Sequence, residues 1–86
     1  MRIYFPSNKE LEEAIVIALN ELGGEAKVSE INRKVIENLE LSEDIVTLED
    51  DTSTGTKLDY RLRWCRTNLK GKKIENVARG TWRLLI

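Results

Sequence analysis

The sequence predicts an α+β fold of winged helix-turn-helix type: three main helices, a short extra helix and a C-terminal β-hairpin wing. Three observations predict it. Apolar residues recur at helical spacing in three separate segments, 11–22, 31–39 and 58–69. Pairs or runs of turn formers separate those segments. The last segment switches to a period of two, with Trp82, Leu84 and Ile86 alternating behind a turn at Ala78, Arg79 and Gly80.

Each element has a local cause. Met1 to Pro6 reads as a lead-in. Ser7 followed by Glu10 fits a capping box, in which hydroxyl and carboxylate each satisfy an orphan backbone N–H. Leu11, Ile15, Ala18, Leu19 and Leu22 then mark one helical face, and Gly23–Gly24 end the helix. Glu25 to Val28 is a candidate short strand. Ser29 is placed to cap a second helix carrying Ile31, Val35, Ile36 and Leu39. Ser42 is placed to cap a third, shorter helix carrying Ile45 and Leu48. The turn formers from Asp51 to Thr56 read as an exposed loop. In the last helix Leu58, Leu62, Cys65 and Leu69, at steps of four, three and four, form one narrow stripe, and Gly71 ends it.

The totals bound the function. At 86 residues, 41% hydrophobic and 34% charged, the chain reads as a single domain spanning 1–86 with a compact core. The longest strictly apolar run is six residues, 14–19, far short of a membrane span, and the N-terminus lacks a signal-peptide pattern. One cysteine and no histidine exclude an internal disulfide and the usual zinc or Cys–His chemistry, a pattern that fits the cytoplasm. Glu25-Ala26-Lys27 imitates the Glu-x-Lys of a metal-dependent nuclease. No aspartate precedes Asp44 to complete the metal site, so the chain reads as a non-enzyme without cofactor or metal.

Net charge is −1, but it is unevenly placed: residues 1–56 carry −8 and residues 57–86 carry +7. Such asymmetry points to a polyanionic partner or to a solvated basic face balanced by an acidic one. The basic residues cluster in the last helix and beyond. With the leucine stripe facing the core, Tyr60, Arg63 and Thr67 point outward, Arg66 and Lys70 flank one side and Trp64 the other. In a helix-turn-helix this outer ridge enters the major groove of double-stranded DNA. There an arginine fork matches guanine acceptors and a threonine can meet a thymine methyl. Lys70, Lys72 and Lys73 suit phosphates as mobile point charges. Arg79, at the wing turn, is placed for a neighbouring groove or the backbone. Trp82 reads as core, Trp64 either as packing beneath the hairpin or as a stacking residue, and Cys65 as a small buried residue.

The segments ALNELGGEAKVSEI (18–31), LELSED (39–44), YRLRWCRTNLKGKKIE (60–75) and RGTWRLL (79–85) resemble, in order and spacing, the N-terminal winged-helix domain of Mrr-type restriction proteins. The resemblance runs from about residue 8 to the end. Its most specific pieces are the tryptophan-centred helix ending in NLK and the terminal Arg-Gly-x-Trp-Arg. The KGKK at 70–73 departs from that pattern by being more basic. The resemblance implies duplex DNA binding, often of methylated DNA, as the target-recognition module of a restriction endonuclease whose nuclease domain follows in the parent protein. Carried over position by position, it implies contacts from Tyr60, Arg63, Arg66, Thr67 and Lys70, with Arg79 in the wing. The alternatives are a protein-interaction or homodimerisation module and a stand-alone transcriptional regulator.

Overall fold

A computed structural model describes residues 5–49 and 55–85. The elements run α1 (Asn8–Glu21), β1 (Glu25–Lys27), α2 (Val28–Asn38), α3 (Glu43–Val46), α4 (Lys57–Leu69), β2 (Ile74–Ala78) and β3 (Thr81–Leu84). The three strands form one antiparallel sheet in the order β1-β3-β2, so the short strand after α1 joins the C-terminal hairpin. This is the α+β arrangement the sequence predicts, compatible with a winged helix.

Capping fixes the helix starts. The Ser7 hydroxyl accepts from the Glu10 N–H at 3.2 Å, and the Glu10 carboxylate accepts from the Ser7 N–H at 3.2 Å. After α1, Gly23 and Gly24 both take φ +94, a left-handed conformation that glycine adopts without Cβ strain. Helix α2 starts at Val28, so Ser29 lies inside its first turn and is not the cap. Lys27, still extended and paired with Thr81, takes the cap position, and the Glu30 carboxylate accepts its N–H at 3.2 Å. Ser42 does cap α3, accepting from the Ile45 N–H at 3.4 Å. That helix stops at Val46, which leaves Leu48 outside it and exposed. Thr56, read from sequence as loop, caps α4 by accepting from the Asp59 N–H at 3.1 Å.

The core forms where the apolar stripes of α1, α2 and α4 meet. Leu11, Ile15, Leu19, Ile31, Val35, Leu58, Leu62 and Cys65 are buried, and Ile74 closes one end. Each fully buried aliphatic side chain contributes about 1.5–3 kcal/mol relative to an exposed one. Trp82 and Leu84, half-buried on β3, pack against this cluster from the sheet side. Ile86, expected to continue their alternation, lies outside the described residues, as do the first four residues of the lead-in and residues 51–54 of the loop.

The wing is short and braced. Ala78 belongs to β2 and pairs with Thr81, so the turn is the two residues Arg79 and Gly80, with Gly80 at φ +73. Val77 has no partner across the hairpin and forms a bulge. The Asn76 side-chain amide bridges the turn, donating to the carbonyls of Ala78 at 2.8 Å and Thr81 at 2.9 Å. The Val28 N–H donates to the Gly80 carbonyl at 2.9 Å, tying the turn to the start of α2.

Candidate nucleic-acid interface

Burial of Leu58, Leu62, Cys65 and Leu69 rotates the opposite face of α4 outward. Tyr60, Arg63, Trp64 and Thr67 line one shallow depression on that face. Tyr60 is 37% exposed and Trp64 52%, and their rings meet edge to face with centroids 6.3 Å apart. Trp64 therefore stands in solvent beside Tyr60. The signal for this was its position four residues after Tyr60, one turn along the same face. The Thr67 hydroxyl donates to the Arg63 carbonyl at 3.1 Å, which commits its hydrogen. Its lone pairs and methyl remain to meet a ligand.

Arg63 and Lys70 are exposed. Among the described residues the ion pairs are Lys34 with Glu37 and Arg83 with Glu75, so neither Arg63 nor Lys70 is neutralised by a paired carboxylate. Lys70 sits just past the α4 C-terminus as its cap, where a cation also complements the helix dipole.

Arg66 departs from the ridge. It is only 7% exposed, and its Nη1 donates to Asn32 Oδ1 on α2 at 3.1 Å. Burial draws its guanidinium below the usual arginine range, with the nearby Asp59 carboxylate acting in the opposite direction. The reason is angular. At about 100° per residue Arg66 stands roughly 70° from the centre of the leucine stripe, close enough for α2 to cover it. Arg66 is thus a brace between α2 and α4 in this structure, where the sequence reading gave it to the outer face.

The remaining basic residues of the segment 57–86 divide among four places. Arg61 donates to Asn8 Oδ1 at 3.0 Å and lies over the Phe5 ring, as does Lys57. Lys72 and Lys73 are exposed, but they line a groove beside α1 together with Lys9, Glu12 and Glu13. Arg79 is exposed at the wing turn, beside the start of α2. Arg83 is cancelled by Glu75 across the hairpin. The exposed residues of α4 and its cap are Asp59, Tyr60, Arg63, Trp64, Thr67, Asn68 and Lys70, of which Tyr60, Arg63, Trp64, Thr67 and Lys70 form the outer face.

Cys65 is buried, as its place in the stripe predicts, and its thiol donates to the Asn8 carbonyl at 3.7 Å. Burial first, then the Glu12 carboxylate, pushes the thiol up to about 11. Glu25 and Lys27 point to solvent on either side of the buried Ala26, as an alternating edge strand. Among the described residues no cluster of carboxylate and thiol groups is placed to hold a metal ion, and no helix is long and apolar enough to cross a membrane.

Comparison with known proteins adds one finding. The model of the family described as Mrr N-terminal domain matches residues 9–84, from the first turn of α1 through the last residue of β3. Searches of curated proteins and of solved structures return no match. The family match spans every element that builds the α4 face, and it agrees with the resemblance carried by the helix at 60–75 and the terminal Arg-Gly-x-Trp-Arg. The chain belongs to the Mrr N-terminal domain family, a domain associated with restriction systems.

Proposed function

We propose that this domain binds double-stranded DNA through the exposed face of α4, as the target-recognition module of an Mrr-type restriction protein whose nuclease lies in a separate domain. The observation that carries the reading is the grouping of Tyr60, Arg63, Trp64 and Thr67 around one exposed depression opposite the apolar stripe, with Lys70 beyond it. A helix presented in this way fits the major groove, and Arg63 has the planar fork that matches guanine O6 and N7. Lys70 is a phosphate contact, and Arg79 reaches the backbone beside the turn. Lys72 and Lys73 contribute to the long-range field more than to the groove contact, because they flank α1. Arg66 holds α4 at its angle to α2 without meeting the DNA.

Fluorescence anisotropy of labelled duplexes at several salt concentrations tests this. Lys70→Ala should reduce the slope of log affinity against log salt by about one unit. Arg63→Ala combined with Lys70→Ala should abolish binding at about 150 mM salt, and unchanged affinity in the double variant defeats the proposal. The exposed Tyr60–Trp64 pair also fits a protein partner. Equal competition by heparin and by duplex, with no dependence on DNA sequence, would favour that reading. Base modification is part of the proposal because of the family, and equal affinity for methylated and unmethylated copies of one bound site removes it.

A further inference from the structure

The flank of α4 turned toward α1 carries two cations that the DNA reading leaves unused. Lys57, Arg61, Trp64 and Asn68 follow one another at steps of four, three and four, so they form a second strip along the helix. At about 100° per residue this strip lies roughly 100° from the apolar stripe, on the side away from Arg66. Two bonds to α1 fix its direction. Arg61 Nη1 donates to Asn8 Oδ1 at 3.0 Å, and the Asn68 amide donates to Glu12 Oε2 at 3.5 Å. The Lys57 ammonium lies 5.2 Å and the Arg61 guanidinium 5.6 Å from the centroid of the same ring, Phe5. Both side chains are half-buried, and among the described residues neither is in an ion pair. Two like charges are thus gathered at one place without a carboxylate between them, and an anion there would relieve their repulsion.

We propose that Lys57 and Arg61 form a phosphate site for the DNA strand opposite the one that Lys70 meets. The proposal rests on the reading of α4 as the helix that enters the groove. Around the helix, Arg63 and Lys70 lie on the α2 flank of the outer face and Lys57 and Arg61 on the α1 flank, with Tyr60 and Thr67 between them. Along its axis, Lys57 and Lys70 stand about 20 Å apart. The two groups therefore occupy opposite flanks and opposite ends of α4. A groove that holds the helix has a phosphate backbone along each wall, and it meets one group at each. Phe5 and Asn8 hold the two cations in place before DNA arrives, which lowers the ordering cost of the contact. The guanidinium has further N–H donors beyond the one given to Asn8, and the ammonium has three.

The salt dependence of binding to labelled duplexes tests it, with circular dichroism checking that each variant is folded. Lys57→Gln with Arg61→Gln removes both charges and keeps polar side chains over Phe5. It should lower the slope of log affinity against log salt by about two units, and Lys57→Gln alone by about one. The fall should be equal on two duplexes of different sequence, because phosphates carry no sequence information. Arg61→Lys, which keeps the charge, should leave the slope within about half a unit of the unaltered chain. Lys72→Gln with Lys73→Gln removes the same charge from the groove beside α1, and should lower the slope by less than about one unit. A Lys57–Arg61 double variant whose slope stays within about half a unit of the unaltered chain overturns the phosphate site, as does an equal fall in the two double variants. If Arg63→Ala with Lys70→Ala still abolishes binding in that case, the α4 reading stands without it. An unaltered chain that binds no duplex overturns both.

Discussion

Arg66 separates a structural arginine from a DNA-contacting one. Replacing it with alanine removes a buried guanidinium and leaves Asn32 Oδ1 without its donor at a half-buried site. An acceptor stranded in this way costs about 1–3 kcal/mol. The lost aliphatic stem, buried with the guanidinium, adds to that. Relief from burying a charge works in the opposite direction, and its sign is fixed by the lowered guanidinium pKa. The net expectation is a loss of about 2 kcal/mol, which lowers Tm by about 8–16 °C in a domain of this size. Arg66→Met keeps the stem while omitting the charge, so its loss should be about 1 kcal/mol or less. Urea titration followed by circular dichroism measures both. DNA anisotropy is then measured at a temperature where the variants are folded. Arg66→Met should bind duplex within about twofold of the unaltered chain, whereas loss of an Arg63 fork should weaken a specific site by ~1–3 kcal/mol. A stable Arg66→Met protein that loses as much DNA affinity as Arg63→Ala would refute the brace and return Arg66 to the interface.

Three further outcomes follow from the packing. The Cys65 thiol is raised in the folded state from its ordinary value near 9 to about 11, so its contribution is intact below pH 9 and is lost as pH rises toward 11. Stability measured by urea titration should fall by about 2–3 kcal/mol across that window, and Cys65→Ala should flatten this part of the profile. Gly80→Ala meets no atom within 4 Å, but it forces a Cβ into φ +73. It should therefore lower stability by about 1–2 kcal/mol, and hydrogen exchange should show faster opening of the Thr81 and Val28 amides. Thr56→Ala removes the α4 cap and should lower stability by about 1 kcal/mol, read from the same urea curves.

The parts of the fold governed by short-range chemistry were legible in the sequence. The Ser7–Glu10 box and the Leu58–Leu62–Cys65–Leu69 stripe depend on spacing along one element, and both occur as read. Departures arose where a second element intervenes. Ser29 lost its capping role because Lys27 is held extended by pairing with Thr81, a partner 54 positions away. Arg66 left the outer face because α2 covers that flank and offers Asn32. Lys72 and Lys73, contiguous in sequence with Lys70, turn toward α1 once the chain bends at Gly71, which takes φ +79. A basic run in sequence thus becomes three separate surfaces. Tyr60, Arg63 and Thr67 were legible because helix periodicity alone decides which way they face.

Amide chemical-shift mapping tests the proposed interface most directly. The 15N-labelled domain is titrated with a short duplex at low salt, and shifts are read residue by residue. If α4 carries the contact, perturbations concentrate on Tyr60, Arg63, Trp64, Thr67 and Lys70, include the Trp64 indole N–H, and extend to Arg79, while Glu13, Ile17 and Asn20 on the outward side of α1 stay still. A footprint centred on α1, or no footprint at protein concentrations of about 100 µM, contradicts it.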